Sequence, residues 1–140
     1  MPICCEIVTQ DKIVYDGEAD LVTLPGINGV MGILPRHSPL LSLLKPGVIT
    51  IRIKGKQLFF SVNGGIVEVQ PDQVTVLTDD ADDAKDIDLA ATEIETSKTG
   101  ELLEQTAKTE TSTIQTLLDL KCYLEVKINA AKKYQSGASE

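Results

Sequence analysis

The chain has 140 residues, a hydrophobic content of 42% and a formal net charge of −8. One domain of this size buries its own core. The acidic balance disfavours nucleic acid and anionic membranes as partners, because phosphate binding needs clustered Lys and Arg. Three cysteines, two of them adjacent, predict reduced thiols. We expect no metal site, no leader segment and no membrane span, which needs about 20 apolar residues.

The front of the chain, from residue 3 to residue 78, predicts an antiparallel β-sandwich or barrel. Short runs rich in β-branched residues are separated by Gly, Pro, Asn and Asp, which is typical of strands joined by tight turns. The expected strands cover residues 4–9, 12–17, 19–24, 29–34, 40–44, 48–53, 57–62, 66–69 and 73–77. The expected turns or strand ends are at 25–26, 28–29, 46–47, 54–56, 63–65 and 70–72.

The only histidine, His37, lies between Pro35 and Pro39. Each proline fixes its own φ and favours extended geometry in the residue before it, so residues 34–39 predict a stiff turn, here named the proline corner. A histidine beside Ser38 allows a small-hydrolase hypothesis. However, the sequence has no second histidine and no acid fixed nearby to orient the imidazole. We therefore expect no catalytic residue, and interpret His37 as a packed or interface residue.

The character of the sequence changes at Thr78. Six aspartates crowd residues 79–88, which predicts a solvated linker followed by the acidic first turn of a helix. A calcium loop is disfavoured because the spacing lacks the required glycine and terminal glutamate. From there to the end of the chain no proline occurs, and apolar residues recur at helical spacing.

Two helices are predicted in the back of the chain, separated by a polar break at 109–113. The apolar stripe of the first comprises Ile87, Ala90, Ala91, Ile94, Leu102, Leu103 and Ala107. The second runs over residues 113–133, with a stripe of Ile114, Leu117, Leu118, Leu124, Ile128 and Ala131, before a frayed tail at 134–140. Because threonine weakens helix propensity, we expect a marginal hairpin that moves. The apolar stripe of the second helix suits packing within the chain and packing against a partner equally well.

The predicted fold class is therefore α+β, an N-terminal antiparallel β-sandwich followed by a C-terminal antiparallel two-helix hairpin. We divide the chain into a docking domain at residues 1–84 and a regulatory helical domain at residues 85–140. The hairpin is too small to bury a core by itself, so it must pack on itself, on the sandwich or on another protein.

Four groups of residues together resemble the epsilon subunit of the rotary F-type ATP synthase. The first contains Ile-Leu-Pro-Arg-His-Ser-Pro-Leu-Leu at 33–41, preceded by Leu-Pro-Gly and Gly-Val-Met-Gly. The others are residues 44–51, residues 62–77, and Asp-Ile-Asp at 86–88. The resemblance covers essentially the whole chain in the right order.

This resemblance implies a non-catalytic rotor subunit of a proton-translocating synthase. In the family, the sandwich packs on the gamma subunit and its foot rests on the c ring, while the hairpin folds down or extends toward the alpha and beta subunits to block ATP hydrolysis. The implied location is peripheral, on the cytoplasmic face of a bacterial inner membrane or the stromal face of a thylakoid. No cofactor, nucleic acid or membrane insertion is implied.

Site residues follow from matching positions in the family. The implied c-ring contacts are Asn28, Gly29, Val30 and Met31. The implied gamma contacts are Arg36, His37 and Ser38. The helix residues implied to meet an acidic patch on a catalytic subunit are Lys121, Lys127, Lys132 and Lys133. Because the second helix is less basic than is usual in the family, we expect inhibition to be weaker than in arginine-rich relatives. We also expect it to be more sensitive to salt, because exposed lysine pairs are screened.

One departure from the family concerns nucleotide. Ile87 and Asp88 match the start of an ATP-binding motif, but Ala91 occupies its arginine position and no arginine follows Arg52. Triphosphate recognition favours bidentate guanidinium groups. We therefore expect weak or absent ATP binding.

Alternatives stay open at two levels. Val30 and Met31 can be core residues of the sandwich rather than a contact surface. For the whole chain, the alternative to a rotor subunit is a free-standing β-sandwich binding or adaptor module with a helical appendage.

Overall fold

The structure, a computed structural model, describes residues 2–137. Within that range, strands come first and helices follow, which confirms the predicted α+β class. The strands are β1 (Ile3–Val8), β2 (Ile13–Ala19), β3 (Leu21–Gly26), β4 (Gly29–Ile33), β5 (Leu40–Ile53), β6 (Lys56–Gln70), β7 (Gln73–Leu77) and β8 (Ala81–Asp83). The helices are a 3-10 turn (Ala84–Asp86), α1 (Leu89–Gln105) and α2 (Thr111–Gly137).

Two long strands, β5 and β6, connect the two layers of the sandwich. They pair antiparallel from Leu40 opposite Val69 to Ile53 opposite Lys56. The sheet order is β2-β1-β7-β6-β5-β3-β4, and β8 also pairs with β6. Strand β7 pairs with the C-terminal half of β6 and β8 with its N-terminal half, so the two halves of this long strand have different neighbours. The β1–β7 ladder is parallel, whereas the other ladders of the described strands are antiparallel.

The long strands bend where the sequence predicts turns, so those predicted turns are wrong. Pro46 pairs with Asn63, and the ladder continues on both sides of this pair. Gly64 and Gly65 have φ angles of 79° and 134°, which side-chain-bearing residues rarely adopt. A Cβ atom on Gly65 would also overlap the carbonyl oxygen of Leu77. Glycine therefore lets β6 pass from one layer to the other without ending.

A similar close approach explains Gly47 on β5. A Cβ atom there would lie 2.6 Å from the Cβ atom of Pro25 on β3. Strand β3 includes Pro25 and Gly26, although the sequence predicts a strand end at this pair. The glycine on β5 makes room for the proline of its neighbour.

The hydrophobic core lies between the two layers and is supplied by the strands. Its largest fully buried side chains are Ile3, Ile7, Val22, Leu24, Ile33, Ile49, Ile51, Phe60, Val62, Val67, Val69 and Val74. The ring of Tyr15 packs on Phe60 with centroids 5.3 Å apart. Because these residues all precede α1, the sandwich has a core independent of the helices.

The acidic stretch is only in part the predicted solvated linker, because four of its six aspartates are exposed whereas residues 81–84 pack against the sandwich. Strand β8 and the 3-10 turn bury Ala81 and Ala84, which are 4% and 2% exposed. The carboxylate of Asp83 accepts a hydrogen bond from the N–H of Lys85 at 3.1 Å and caps the turn. The predicted boundary between residues 84 and 85 falls inside this turn, and the division into two units stays a prediction.

Helix α1 turns threonine, not its predicted apolar stripe, toward α2. The buried or half-buried threonines, here named the threonine seam, are Thr92, Thr96, Thr99 and Thr106. Each donates its hydroxyl hydrogen to the carbonyl four residues earlier, at 2.6–2.8 Å. By contrast, Ile94 and Leu102 of the predicted stripe are 56% and 52% exposed. The prediction of an apolar packing face on α1 is therefore wrong at these residues.

Helix α2 extends beyond both predicted ends. Most of its predicted stripe is buried or half-buried, but Leu118 is 47% exposed. Residues 134–137 continue the helix, contrary to the predicted frayed tail, and residues 138–140 lie outside the described residues.

The three thiols offer a test of this fold. Cys4 and Cys122 are exposed, whereas Cys5 is buried in the core. Burial raises the pKa of the Cys5 thiol to about 12, and Cys4 and Glu6 add to the shift. We expect an aromatic disulfide reagent at about pH 8 to titrate two thiols in the native chain and the third only in denaturant. The Cys5→Ala variant should release two equivalents in both conditions, and a rapid third equivalent from the native chain would contradict the fold.

Candidate functional site

The sandwich exposes a row of apolar side chains that crosses neighbouring strands. Strand register places Leu43 of β5 opposite Ile66 of β6, and Ile66 opposite Leu77 of β7. Val8 of β1 continues the row beside Leu77. Leu43, Ile66 and Leu77 are 53%, 43% and 54% exposed. These four residues are named the apolar row, and contiguous exposed apolar surface of this kind marks a protein interaction site.

Shallow grooves extend the apolar row along β5 toward the proline corner. Leu41, which is 70% exposed, lines a groove with Leu43 and Ile66. A second groove joins Leu41 to Pro39. The surface is therefore continuous from the proline corner to the apolar row.

The proline corner is a hydrogen-bonded turn with one unusual residue. The N–H of His37 donates to the carbonyl of Leu34 at 3.1 Å, and Arg36 has a φ of 66°. With Pro35 before it, this left-handed residue gives the geometry of a type II turn, which usually has glycine at that position. The N–H of Arg36 donates to the carbonyl of Pro71 at 2.8 Å. This bond fastens the corner to the β6–β7 turn.

The predicted gamma contacts lie at this corner with unequal exposure. Arg36 and Ser38 are exposed, and His37 is half-buried. The Nδ1 atom of His37 lies 2.8 Å from the backbone carbonyl oxygen of Ser38, so the local backbone orients the ring. The arrangement suits a surface residue held in one orientation.

The predicted c-ring contacts form the tip of the β3–β4 hairpin. Asn28 and Gly29 are exposed at the turn. Val30 points outward and is 75% exposed, whereas Met31 is half-buried and packs against the core. Successive side chains of a strand point to opposite faces. Of these two neighbours, both predicted as contacts, only Val30 therefore points to solvent.

The hairpin tip adjoins the apolar row. The N–H of Ile27 donates to the carbonyl of Leu43 at 3.0 Å, and Ile27 is 55% exposed. A Cβ atom on Gly26 would lie 2.6 Å from the carbonyl oxygen of Gly29, so the tight tip requires glycine there. The corner, the row and the tip therefore follow one another along β5.

Helix α2 covers another part of the sandwich. Its Ala130 packs with Phe59 of β6 and Ala84 of the 3-10 turn, and half-buried Val48 and Ile87 join them. Thus the outer face of β5 and β6 is apolar and bare at one end, and covered by the helix at the other.

The four predicted helix contacts differ in availability. Lys127 lies with its Nζ 3.9 Å from an oxygen of Asp82 and 6.0 Å from the ring centre of Tyr123. Lys121 is half-buried, and Lys132 and Lys133 are exposed. In this arrangement only the last two present a charge freely to solvent.

Ile87 and Asp88 have structural roles here. Ile87 packs in the small cluster under α2. A carboxylate oxygen of Asp88 accepts a hydrogen bond from the N–H of Ala91 at 3.1 Å and caps α1. The carboxylate that the sequence aligns with a nucleotide motif is therefore engaged by the helix.

Within residues 2–137, no group of three or more His, Cys, Asp or Glu side chains is placed to hold a metal ion. No helix in the same part of the chain combines the length and the hydropathy needed to cross a membrane.

The apolar row was not predicted from the sequence. Its members lie on four strands, and only the register brings them together. A local signal exists, because Leu41 and Leu43 occupy outward positions that a solvated sheet face fills with polar residues.

Comparison with known proteins gives a family match. The family model of the ATP synthase Delta/Epsilon chain, beta-sandwich domain matches residues 3–84. The ATP synthase epsilon chain of Xanthomonas euvesicatoria pv. vesicatoria (strain 85-10) is 50% identical over 90 residues, and that of Acidithiobacillus ferridurans is 49% identical over 90 residues. In both cases the match covers 64% of this chain and 64% of the relative.

Two solved assemblies contain a chain of similar fold. One is the Euglena gracilis mitochondrial ATP synthase, OSCP/F1/c-ring, with a TM-score of 0.68, 16% identity, and coverage of 98% of this chain and 81% of that chain. The other is the central stalk/c-ring of the Tetrahymena thermophila mitochondrial ATP synthase, with a TM-score of 0.58, 18% identity, and coverage of 94% and 97%. At these identities the likeness concerns the fold.

The left-handed residue of the proline corner predicts a stabilising substitution. Arg36→Gly should raise the free energy of unfolding by about 0.5–1 kcal/mol, because glycine adopts this φ without the strain of a side chain. Urea denaturation measures the change. The matched control is Lys45→Gly, an exposed basic residue inside β5, which should destabilise the chain. Equal destabilisation by both variants would show that Arg36 does not have a left-handed backbone conformation.

Proposed function

The chain belongs to the delta/epsilon chain family of ATP synthases, and from this we propose that it is the central-stalk subunit that couples the catalytic head to the c ring. It carries no catalytic residue of its own. Its sandwich docks on the gamma subunit, and its helices restrain ATP hydrolysis. The observation that carries the proposal is the apolar row on a sandwich of this family.

Docking on gamma uses the continuous surface from the proline corner to the apolar row. Leu41, Leu43 and Ile66 supply apolar area that water leaves when a partner binds. Glu68 lines the groove that joins Leu41 to Pro39, and Asp79 lines a further groove with Val8, Ile66 and Leu77 of the apolar row. A partner with apolar side chains flanked by Lys or Arg matches this surface. Arg36, His37 and Ser38 lie at its end and fix the orientation.

Contact with the c ring uses the hairpin tip. Asn28, Gly29 and Val30 are exposed there, and Val30 supplies the apolar contact. Met31 supports the tip from inside. Because the tip is hydrogen-bonded to β5, a force applied to it is transmitted to the surface that binds gamma.

Restraint of hydrolysis uses the helices. Lys132 and Lys133 are the exposed charges that meet an acidic patch on a catalytic subunit, and Lys121 and Lys127 join them when the helices leave the sandwich. ATP binding at Ile87 and Asp88 is weak or absent. The subunit is peripheral, on the cytoplasmic or stromal side of the coupling membrane.

Two matched substitutions separate the two docking surfaces. Ile66→Lys should abolish binding to purified gamma subunit, because it puts a charge into the apolar row, and should leave c-ring binding intact. Val30→Lys should do the reverse. Co-purification of each variant with gamma and with the isolated c ring measures the effects, and each variant controls for the folding of the other.

The same experiment tests the adaptor alternative. If neither gamma nor the c ring retains the unmodified chain, the rotor proposal fails and a free-standing binding module becomes the better account. If Ile66→Lys keeps full gamma binding, the apolar row is not the docking surface.

Removal of the helices should relieve the inhibition of ATP hydrolysis. The chain cut after Asp86 keeps the core of the sandwich, so it should still show the circular dichroism of a folded β protein. Assembled into the synthase, it should give severalfold faster ATP hydrolysis than the full chain. Added salt should narrow the difference, since exposed lysine pairs are screened. Equal hydrolysis rates at low salt would contradict a regulatory role for the helices.

A further inference from the structure

The contact between α2 and the sandwich has an apolar part and a polar part. In the apolar part, Ala130 of α2 packs with Phe59 and Ala84, and half-buried Val48 and Ile87 join them. Apolar burial is non-directional, so it does not by itself fix how α2 lies on the sandwich. Hydrogen bonds depend on direction, so the polar contacts of the interface can fix that position.

Those polar contacts converge on one residue of the sandwich, Asp82. The hydroxyl of Tyr123 donates to Oδ2 of Asp82 at 3.0 Å and lies 3.3 Å from the hydroxyl oxygen of Ser61. Nζ of Lys127 lies 3.9 Å from the same Oδ2 atom. Tyr123 and Lys127 are one helical turn apart, so both face Asp82 from α2.

The surroundings make these contacts directional. Ser61 is fully buried and pairs with Asp82 in the β6–β8 ladder, which holds the carboxylate in place. Tyr123 is 7% exposed, so water competes little for the hydrogen bond that its hydroxyl donates. Burial raises the pKa of Tyr123, and Asp82 and Asp80 add to the shift although the hydrogen bond with Ser61 opposes it. The hydroxyl therefore keeps its proton at neutral pH and can donate a hydrogen bond.

We propose that Tyr123, Lys127, Asp82 and Ser61 form a polar latch that determines whether α2 stays on the sandwich. Asp82 is its fixed half, and Tyr123 and Lys127 are its movable half. When the latch is closed, Lys127 is paired with Asp82. An acidic group of another protein must then compete with Asp82 for this lysine. The latch is a property of the isolated chain and is tested without any partner.

Hydrogen–deuterium exchange of the isolated full-length chain tests the latch. Tyr123→Phe removes one hydroxyl and keeps the ring, and it should speed exchange across residues 118–130 about fivefold or more. Exchange in β1 to β7 should not change, because that core is built from strands. Asp82→Asn keeps an acceptor for Tyr123 but removes the charge that faces Lys127, so its effect should be smaller.

Two matched variants control for the chemical changes. Tyr15→Phe removes a hydroxyl that bonds within the sandwich, to the carbonyl of Glu18, and should leave exchange in α2 unchanged. Asp80→Asn removes a neighbouring charge outside the latch and should act likewise. In the double variant Tyr123→Phe/Asp82→Asn, the effects should be less than additive, since both substitutions open the same contact.

The alternative results are distinct. Unchanged exchange in α2 of the Tyr123→Phe variant would overturn the latch. An equal rise in α2 and in the sandwich strands would also overturn it, because the hydroxyl would then stabilise the whole fold. Fully additive effects of Tyr123→Phe and Asp82→Asn would show two separate contacts rather than one device.

Discussion

The antiparallel pairing of β5 with β6 is the constraint on which the rest of the structure depends. The ladder runs from Leu40–Val69 to Ile53–Lys56 without a change of register. It crosses from one layer of the sandwich to the other at a bend that glycine makes possible. A side chain at Gly65 in the bend of β6 would overlap the backbone of β7 and disturb the β6–β7 pairing, so the bend and this pairing depend on the same glycine.

This one ladder also divides the outer surface by function. Its first part carries the exposed Leu41 and Leu43, and its second part carries Val48 and Phe59 beneath α2. The proposed docking surface and the helix contact are therefore rigidly joined, although they do not overlap. A partner can hold the sandwich at one end while the helix remains free to stay or leave at the other.

Composition and periodicity predict the fold class well, because strand and helix periods differ strongly between the two parts of the chain. They do not predict the ends of an element correctly where contacts between distant parts of the chain determine them. Pro46 and Gly64 resemble turn residues in isolation, yet tertiary pairing incorporates them into continuous strands. The acidic stretch resembles a solvated linker, yet buried alanines anchor it.

The candidate site shows the same limit. The proline corner and the hairpin tip are visible as local motifs, whereas the apolar row exists only in the register of four strands. The division between Val30 and Met31 needs one further fact, the direction of each side chain, which the motif does not contain. The convergence of Tyr123 and Lys127 on Asp82 joins residues about forty positions apart and leaves no pattern in the sequence.

The threonine seam affects what it costs to part the two helices. Each of its hydroxyls donates to a carbonyl four residues back within α1, so parting the helices leaves none of these hydroxyls without a partner. A polar group that loses its partner costs about 1–3 kcal/mol, and α1 avoids that cost. On the α1 side, the helices can therefore separate and meet again without breaking a side-chain hydrogen bond of the seam.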